Sequence, residues 1–396
     1  MDIFQKCRDY KDPEPVKAAG IYPYFQPIEE SHGSWVRCRG KKLVMIGSNN
    51  YLGLTHDPRV KEAAIEATRR FGTGCTGSRL LNGNLTLHEE LEGRLAKFVG
   101  KPAALVFSTG FLTNLGAISC LANEGEFIFS DSENHASIIA GCSAAKAKVI
   151  KYGHSSMPEV VERLKQNANG AVLVVTDGVF SMTGAIADLP GLVKVKKNNP
   201  RVRLYVDDAH SFGVLGNGGR GTSDHFGLTE EVDVIMGTFS KTFASIGGFV
   251  ASEPDVIDFI RHKARALIFS AAAPAASVAA VLKCLDIMES EPEHVERVRK
   301  NTQKMREGFE SLGINIVPSN TAIIPVRVGE DLMSFKLVRE LFERGLFATP
   351  VIYPAVPLGH SMIRTSYMAT HTDDDLNFVL EVFSGLAKEY PFLKKG

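Results

Sequence analysis

No charge of one sign predominates in these 396 residues: Lys and Arg number 45, Asp and Glu 45. A nucleic-acid binder usually shows an excess or a cluster of basic residues. The two short basic clusters here, Lys194–Lys197 and the last few residues, read as solvated surface. No nucleic acid is expected as a partner. Cysteines are few, at 7, 38, 75, 120, 142 and 284, and none forms a C-x-x-C pair or a zinc-ligand spacing. They read as reduced thiols of a cytoplasmic protein, and no metal is expected. Long hydrophobic runs are missing too. The most apolar stretch, Ala271–Leu282, contains Pro274 and falls short of the roughly 18 residues of a membrane span. That excludes a spanning helix there and leaves room for peripheral membrane contact. The first residues, Met1–Lys6, lack a basic flank followed by an apolar run, so no secretory signal is expected. There is no internal repeat and no low-complexity linker.

Three ligand motifs fail on inspection. Gly216-Asn-Gly218-Gly-Arg-Gly221 fits G-x-G-x-x-G, but it follows Asp-Asp-Ala-His rather than a strand and reads as a turn. His88-Glu89 begins like H-E-x-x-H, but position 92 is Glu. Gly237-Thr-Phe-Ser-Lys241-Thr lacks the glycine before lysine that a P-loop needs.

What is present is ordinary globular composition, 44% hydrophobic and 23% charged. The length favours a large domain plus a smaller one. Short β-branched runs (Ala104–Phe107, Phe127–Phe129, Ala171–Thr176, Val202–Val206, Val232–Met236) alternate with helical patterns (Leu112–Asn123, Met157–Asn167, Leu189–Lys197). That alternation predicts an α/β fold on a mostly parallel sheet, with loops at one edge where ligands bind. After about Asn301 the pattern changes. Ala322–Val328, Leu346–Val351 and Met362–Met368 read as strands, and Leu332–Arg344 and Asp373–Lys388 as helices. Thr372 before three aspartates is a good helix start. The expected division is an N-terminal segment (1–55) holding a β-like pair around Gly40, a large domain (56–300), and a small α+β domain (301–396).

Four strand ends carry chemistry. Val232 to Lys241 is an apolar strand running into Thr238, Ser240 and a lysine. Desolvation at the mouth of a sheet favours the neutral amine that a Schiff base needs, and the hydroxyls suit a phosphate. Taken alone, a surface lysine after an edge strand explains it as well. Leu204 to His210 ends in Asp207, Asp208 and a histidine. A buried carboxylate needs a cationic partner, such as a protonated pyridine nitrogen; the plainer alternative is a helix-capping Asp and a core histidine. Phe107-Ser-Thr-Gly110-Phe111 opens a helix at a strand end, where backbone amides and the dipole favour an anion. Asp131 to Ser137 places His135 at a fourth strand end, where it suits the face of a cofactor ring; a lone histidine is more often structural. Each is weak singly. All four fall at carboxyl ends of strands, so they converge on one rim.

These residues resemble the α-oxoamine synthases, pyridoxal 5'-phosphate (PLP) enzymes of fold type I. The resemblance is carried by Ser48-Asn-Asn50-Tyr-Leu-Gly-Leu54, Gly72 to Arg79, Thr109-Gly110-Phe111, His135-Ala-Ser137, Asp177 to Gly184, Asp207-Asp-Ala-His210 and Thr238-Phe-Ser-Lys241, seven motifs in order over nearly the whole chain. It implies a seven-stranded sheet in the large domain and a smaller C-terminal domain. It implies that Lys241 holds PLP as a Schiff base, that Asp207 pairs with the pyridine nitrogen, and that His135 stacks on the ring. His210 and Ser181 would bond the ring hydroxyl. Gly110, Phe111, Thr238 and Ser240 would hold the phosphate, with Ser270 and Ala271 reaching the phosphate of a partner subunit in a homodimer. Arg364 and Asn50 would take the amino-acid carboxylate, and Ser78 and Arg79 belong to the substrate-binding set.

The reaction implied is condensation of an amino acid with an acyl-CoA and loss of CO2. Three stretches, Tyr22–Ile28, Gly237–Phe249 and Pro354 through Thr372, favour the branch that takes L-serine and palmitoyl-CoA. Sister branches take glycine or L-alanine with shorter acyl thioesters. Some family subunits are non-catalytic, but those have lost the lysine. One departure is Ile352, twelve residues before Arg364, where some members of the favoured branch carry a second arginine. A C16 chain would need a long apolar groove, for which Phe4, Ile21, Tyr24 and Phe25 are candidates alongside plain core packing.

Overall fold

The computed structural model describes residues 2–167 and 169–395. They divide into two compact units. The first comprises 1–48, 301–318 and 323–396; the second comprises 49–300 and 319–322. The N-terminal segment is therefore no separate piece. Its strands β1 (Ile28–His32), β2 (Trp35–Cys38) and β3 (Lys41–Met45) form an antiparallel meander.

The second unit is built on seven strands: β4 (Ala103–Phe107), β5 (Phe127–Asp131), β6 (Lys148–Tyr152), β7 (Val172–Asp177), β8 (Val202–Asp207), β9 (Val234–Thr238) and β10 (Gly248–Ser252). Their order is β4-β10-β9-β8-β7-β5-β6. Only β10 runs against its neighbours, pairing antiparallel with both β4 and β9. The carboxyl ends of β4, β5, β7, β8 and β9 thus share one edge, and Gly248 pairs with Thr238 and Phe107 on that edge. All six residues of β7 are buried, as expected of a central strand covered on both faces. Leu105, Ile118, Ile128, Val175, Tyr205, Met236 and Val250 form one core cluster here. Each such side chain contributes about 1.5–3 kcal/mol on burial.

Two strands of this sheet had no expectation in the sequence. Strand β6, Lys-Val-Ile-Lys-Tyr, lies at the sheet edge with most of its residues exposed, so its lysines mask the apolar signal. Strand β10 begins with glycine directly after the lysine loop. The Gly216–Gly221 stretch is a turn, with Gly216, Gly218, Gly219 and Gly221 all at positive φ.

The first unit is completed by β11 (Ile323–Gly329), β12 (Leu346–Phe347), β13 (Thr349–Val351) and β14 (Ser361–Ser366). The single strand expected over Leu346–Val351 is split between two sheets. Strand β12 pairs in parallel with β3, which draws the N-terminal meander into this unit, whereas β13 pairs with β14. The helix Asp373–Glu389 starts with the expected Thr372 cap: Thr372 Oγ1 accepts from Asp375 N, and the Asp375 carboxylate accepts from Thr372 N. Among the described residues no helix is long and apolar enough to cross a membrane.

Candidate active site

The carboxyl edge of the seven-stranded sheet gathers side chains that a fold alone would not place together. Strand β8 delivers Asp207, only 3% exposed. Its carboxylate accepts from Asn114 Nδ2 at 2.6 Å and from Ala209 N at 2.9 Å. Asn114 is a relay: Tyr205 donates to its Oδ1 at 2.8 Å, and its Nδ2 also reaches Ser137 Oγ at 2.8 Å. Ser137 Oγ in turn lies 2.8 Å from His135 Nδ1. One chain of hydrogen bonds therefore joins Asp207 to His135. Asp208 turns away from this edge. It is fully buried and accepts from Thr222 N, and burial pushes its carboxyl up to about 6.

His135 opens the helix Ala136–Ala144 and caps it, its Nδ1 accepting from Ser137 N. The ring stands at the mouth of the site with part of its surface in solvent. The packed side of the ring and the positive charge of Lys241 hold the imidazole below its usual value, against the pull of Asp207. The backbone N–H of His135 donates to Asp177 Oδ2 at 2.8 Å. Asp131, at the end of β5, fixes the same loop by accepting from Glu133 N and Ser155 N, with His154 Nδ1 at 3.2 Å. That pairing raises the His154 imidazole.

Lys241 follows β9 by three residues and is half-buried. Its charge acts on both His135 and Asp177, which places it at the same edge. Thr238 Oγ1 lies 3.0 Å from Ser240 Oγ and donates to Gly247 O at 3.2 Å. Opposite stands the N-terminus of the helix Gly110–Leu121, capped by Thr109. A Cβ on Gly110 would run into Oγ1 and Cβ of Thr238, so glycine is required for this approach. Phe111 is exposed there. Ser108 Oγ donates to Ala271 O, and Ala272 N donates to Gly77 O, which brings Ser270, Ala271 and the Ser78 loop beside the same helix start. Ser78 Oγ is buried without a hydrogen-bond partner among the described residues. On the other flank Tyr51 OH lies 2.7 Å from His210 Nδ1. Ser181 sits in the loop after β7, whose Gly184 carbonyl accepts from Ser319 and Thr321. Asn50 Nδ2 donates to Thr55.

Arg79, expected in the substrate-binding set, is engaged by protein partners. Its guanidinium is 6% exposed, forms a 2.8 Å ion pair with the equally buried Glu92, and also reaches Asn84. Glu92 accepts from Val106 N as well, so the pair ties the loop to β4. Arg364 belongs to the first unit, on β14, and is buried there. Phe4 and Phe25 stand exposed, and the cavity beside Ile21 and Tyr22 measures about 30 Å³, room for a single water. Sequence reasoning passed over Asn114, Tyr205 and Tyr51. An isolated Asn or Tyr inside an apolar pattern gives no sign of what it faces.

The sequence profile of the class I and II aminotransferases matches residues 41–383. The chain belongs to this family, in its α-oxoamine synthase branch. Curated α-oxoamine synthases similar to it include a serine palmitoyltransferase of Bacteriovorax stolpii, 49% identical over 93% of this chain and 88% of that protein. An 8-amino-7-oxononanoate synthase of Thermoanaerobacter pseudethanolicus is 40% identical over 95% of each. Among solved structures, the serine palmitoyltransferase of S. paucimobilis with a bound PLP–myriocin aldimine superposes with a TM-score of 0.94 at 33% identity, over 98% of this chain and 99% of that one. The fold is that of the fold type I PLP-dependent transferases. The residues fit the cofactor of this family. Gly110 leaves the space between a helix N-terminus and two hydroxyls that a phosphate requires. A buried carboxylate held in one orientation by Asn114 Nδ2 and Ala209 N suits a protonated ring nitrogen.

Proposed function

We propose that this α-oxoamine synthase condenses L-serine with a long-chain acyl-CoA such as palmitoyl-CoA. The products are 3-ketodihydrosphingosine, CoA and CO2, the first step of sphingolipid synthesis. The observation that carries the reading is the meeting of Lys241, buried Asp207 and the Asp207–Asn114–Ser137–His135 chain at one sheet edge. The resemblance to serine palmitoyltransferases selects the substrates.

PLP, when bound, supplies the electron sink that makes the amino-acid Cα acidic. The protein supplies orientation, charge and proton transfer. The Lys241 amine would hold the cofactor and, when free, would remove and return the substrate Cα proton. Asp207, held in one orientation by Asn114 and Ala209 N, presents a fixed negative charge to the ring nitrogen. His135 covers the ring face and, tied through Ser137 to Asn114, keeps a set position over it. His210, set by Tyr51, and Ser181 bond the ring hydroxyl. Gly110, Phe111, Thr238 and Ser240 receive the phosphate. Asn50 and Arg364 take the substrate carboxylate, a pairing that an arginine makes strong when bidentate. Arg79 serves the site indirectly, by holding the Ser78 loop against β4.

The working form is a cytoplasmic homodimer. Leu81 and Phe269, 79% and 76% exposed, flank the Ser78 and Ser270 loops and suit a second copy of the chain. Sedimentation of the PLP-loaded protein reads this directly, and a monomer that turns over would overturn it.

The reaction is tested by mixing PLP-loaded protein with palmitoyl-CoA and L-serine, glycine or L-alanine in turn. Free CoA thiol and the product mass are followed. Turnover with L-serine and the mass of 3-ketodihydrosphingosine are expected. Turnover only with glycine or L-alanine moves the protein to a sister branch of the family. Silence with every amino acid and every acyl length makes the chain a non-catalytic subunit.

A further inference from the structure

Asp177 ends β7 beside Asp207, which ends β8, and the parallel register pairs the two positions. The two side chains are 5% and 3% exposed. Their surroundings differ. Asp207 accepts two hydrogen bonds, from Asn114 Nδ2 and Ala209 N. Asp177 accepts one, from the His135 backbone N–H at 2.8 Å. The backbone of Asp177 is fixed by the same loop: its N–H donates to Asn134 Oδ1 at 2.9 Å, while Asn134 Nδ2 donates to Val175 O and Ser130 Oγ. The charges that face Asp177 are Asp207 and Asp131, both negative, and Lys241.

Two carboxyls on neighbouring strand ends, both out of water, cannot both ionise without strong repulsion. The one with fewer donors keeps its proton more readily. Burial, then Asp207, push the Asp177 carboxyl well above the usual carboxylate range. The His135 amide and Lys241 oppose this less strongly.

We propose that Asp177 is a positioning residue of this site: a buried carboxylic acid that keeps its proton beside Asp207 and fixes the His135 loop through the His135 amide. The edge then holds one buried negative charge in place of two, and a single cationic ring nitrogen balances it. The carbonyl oxygen of the acid still accepts the His135 N–H, so His135 is anchored from both sides. Its backbone goes to Asp177 and its ring, through Ser137, to Asn114. The kinetic arm of this inference rests on the reading of the site as that of a PLP-dependent condensing enzyme. The spectroscopic arm does not.

The experiment compares wild type, Asp177→Asn and Asp177→Ala, each PLP-loaded. The infrared difference between wild type and Asp177→Asn at pH 7 should show a carboxylic-acid carbonyl stretch belonging to Asp177. Asparagine is neutral, of nearly the same shape, and still accepts the His135 amide. It should therefore recover at least tenfold in kcat/KM relative to alanine, with the cofactor's visible band matching wild type. In Asp177→Ala the loss should fall mainly on kcat, and the visible band should shift as the His135 loop moves. Absence of the carboxylic-acid band would overturn the proposal, as would an asparagine variant no better than alanine, since either would show that the ionised form is required. If Asp177→Ala does not fold, the infrared comparison of wild type with Asp177→Asn decides alone. If wild type itself fails to condense any amino acid with an acyl-CoA, the functional reading falls, while the infrared band and the visible spectrum still decide the state of Asp177.

Discussion

The two units use buried polar groups differently. In the first, His371 is buried with both ring nitrogens engaged: Nδ1 accepts from Met368 N at 2.9 Å and Nε2 donates to Met45 O at 3.1 Å. Asn301 donates to the carbonyls of Met368 and His371, and Thr365 to that of Ile324. These groups close turns and strand ends, and they finish what the backbone left open. In the second unit, Asp177, Asp207, Thr238 and His210 gather along one sheet edge, where two buried carboxyls from neighbouring strands stand side by side. Burying charge in this way is unfavourable unless a ligand completes the set. The contrast teaches where to look. Buried polarity that closes a turn or strand end marks structure, and buried polarity that converges from several strand ends on one edge marks a binding site.

The comparison is open to test, and the widest gap is expected at Lys241. Lys241→Ala should lower condensation by about 10⁴-fold, read as CoA release, while thermal unfolding of the apo-protein barely moves. Equal losses of stability and activity would erase the distinction between site and scaffold.

Arg79→Ala should show the reverse within the second unit. It leaves buried Glu92 with only the longer Arg261 contact at 3.5 Å and the Val106 amide, at a cost of about 3 kcal/mol in denaturant unfolding. A variant of normal stability with a raised KM for acyl-CoA would return Arg79 to the substrate.

His371 provides a pH test in the first unit. Burial, its largest cause, lowers the imidazole to about 4, against the pull of Asp375 and its two hydrogen bonds. The unfolded chain takes up this proton near the ordinary value of about 6.5, before the folded chain does. The stability due to neutral His371 is therefore present above pH 6.5 and is lost as pH falls toward 4, by up to about 3 kcal/mol. Urea titrations across that range should show the slope in wild type and not in His371→Asn.

Gly110→Ala should cost about 1–3 kcal/mol through collision with Thr238 and should weaken PLP binding, measured by dialysis against apo-protein. The smallest effect is Thr372→Ala, which removes a cap from the helix Asp373–Glu389 and should lower stability by about 1 kcal/mol without touching turnover.

Much of the second unit was legible in the chain. Strands that are buried on both faces, such as β7 and β8, write long apolar runs, and they end in the residues that carry chemistry. The candidate residues Lys241, Asp207, His135 and Gly110 stood out because each follows such a run. Strand β6 was not, because an edge strand alternates with lysines. The grouping of β3 with β12 was not either, since the two are some 300 residues apart and only their pairing Leu346↔Val44 and Phe347↔Met45 joins them. Arg79 was legible as a motif residue, but its ion pair with Glu92 was not, because a motif does not say what an arginine packs against.

By itself, then, the sequence determined the α/β alternation, the strand ends that bear a lysine, an aspartate, a histidine and a glycine, and the branch of chemistry they resemble. Those depend on periodicity and on residue type, which are local properties of the chain. Tertiary structure decided which of two adjacent aspartates faces the site, which arginine is bound into the scaffold, and that Asp177 stands next to Asp207. Those depend on register and burial, which exist only once distant segments pack. Electrostatics follows them, because the same carboxyl keeps or loses its proton according to what is brought beside it.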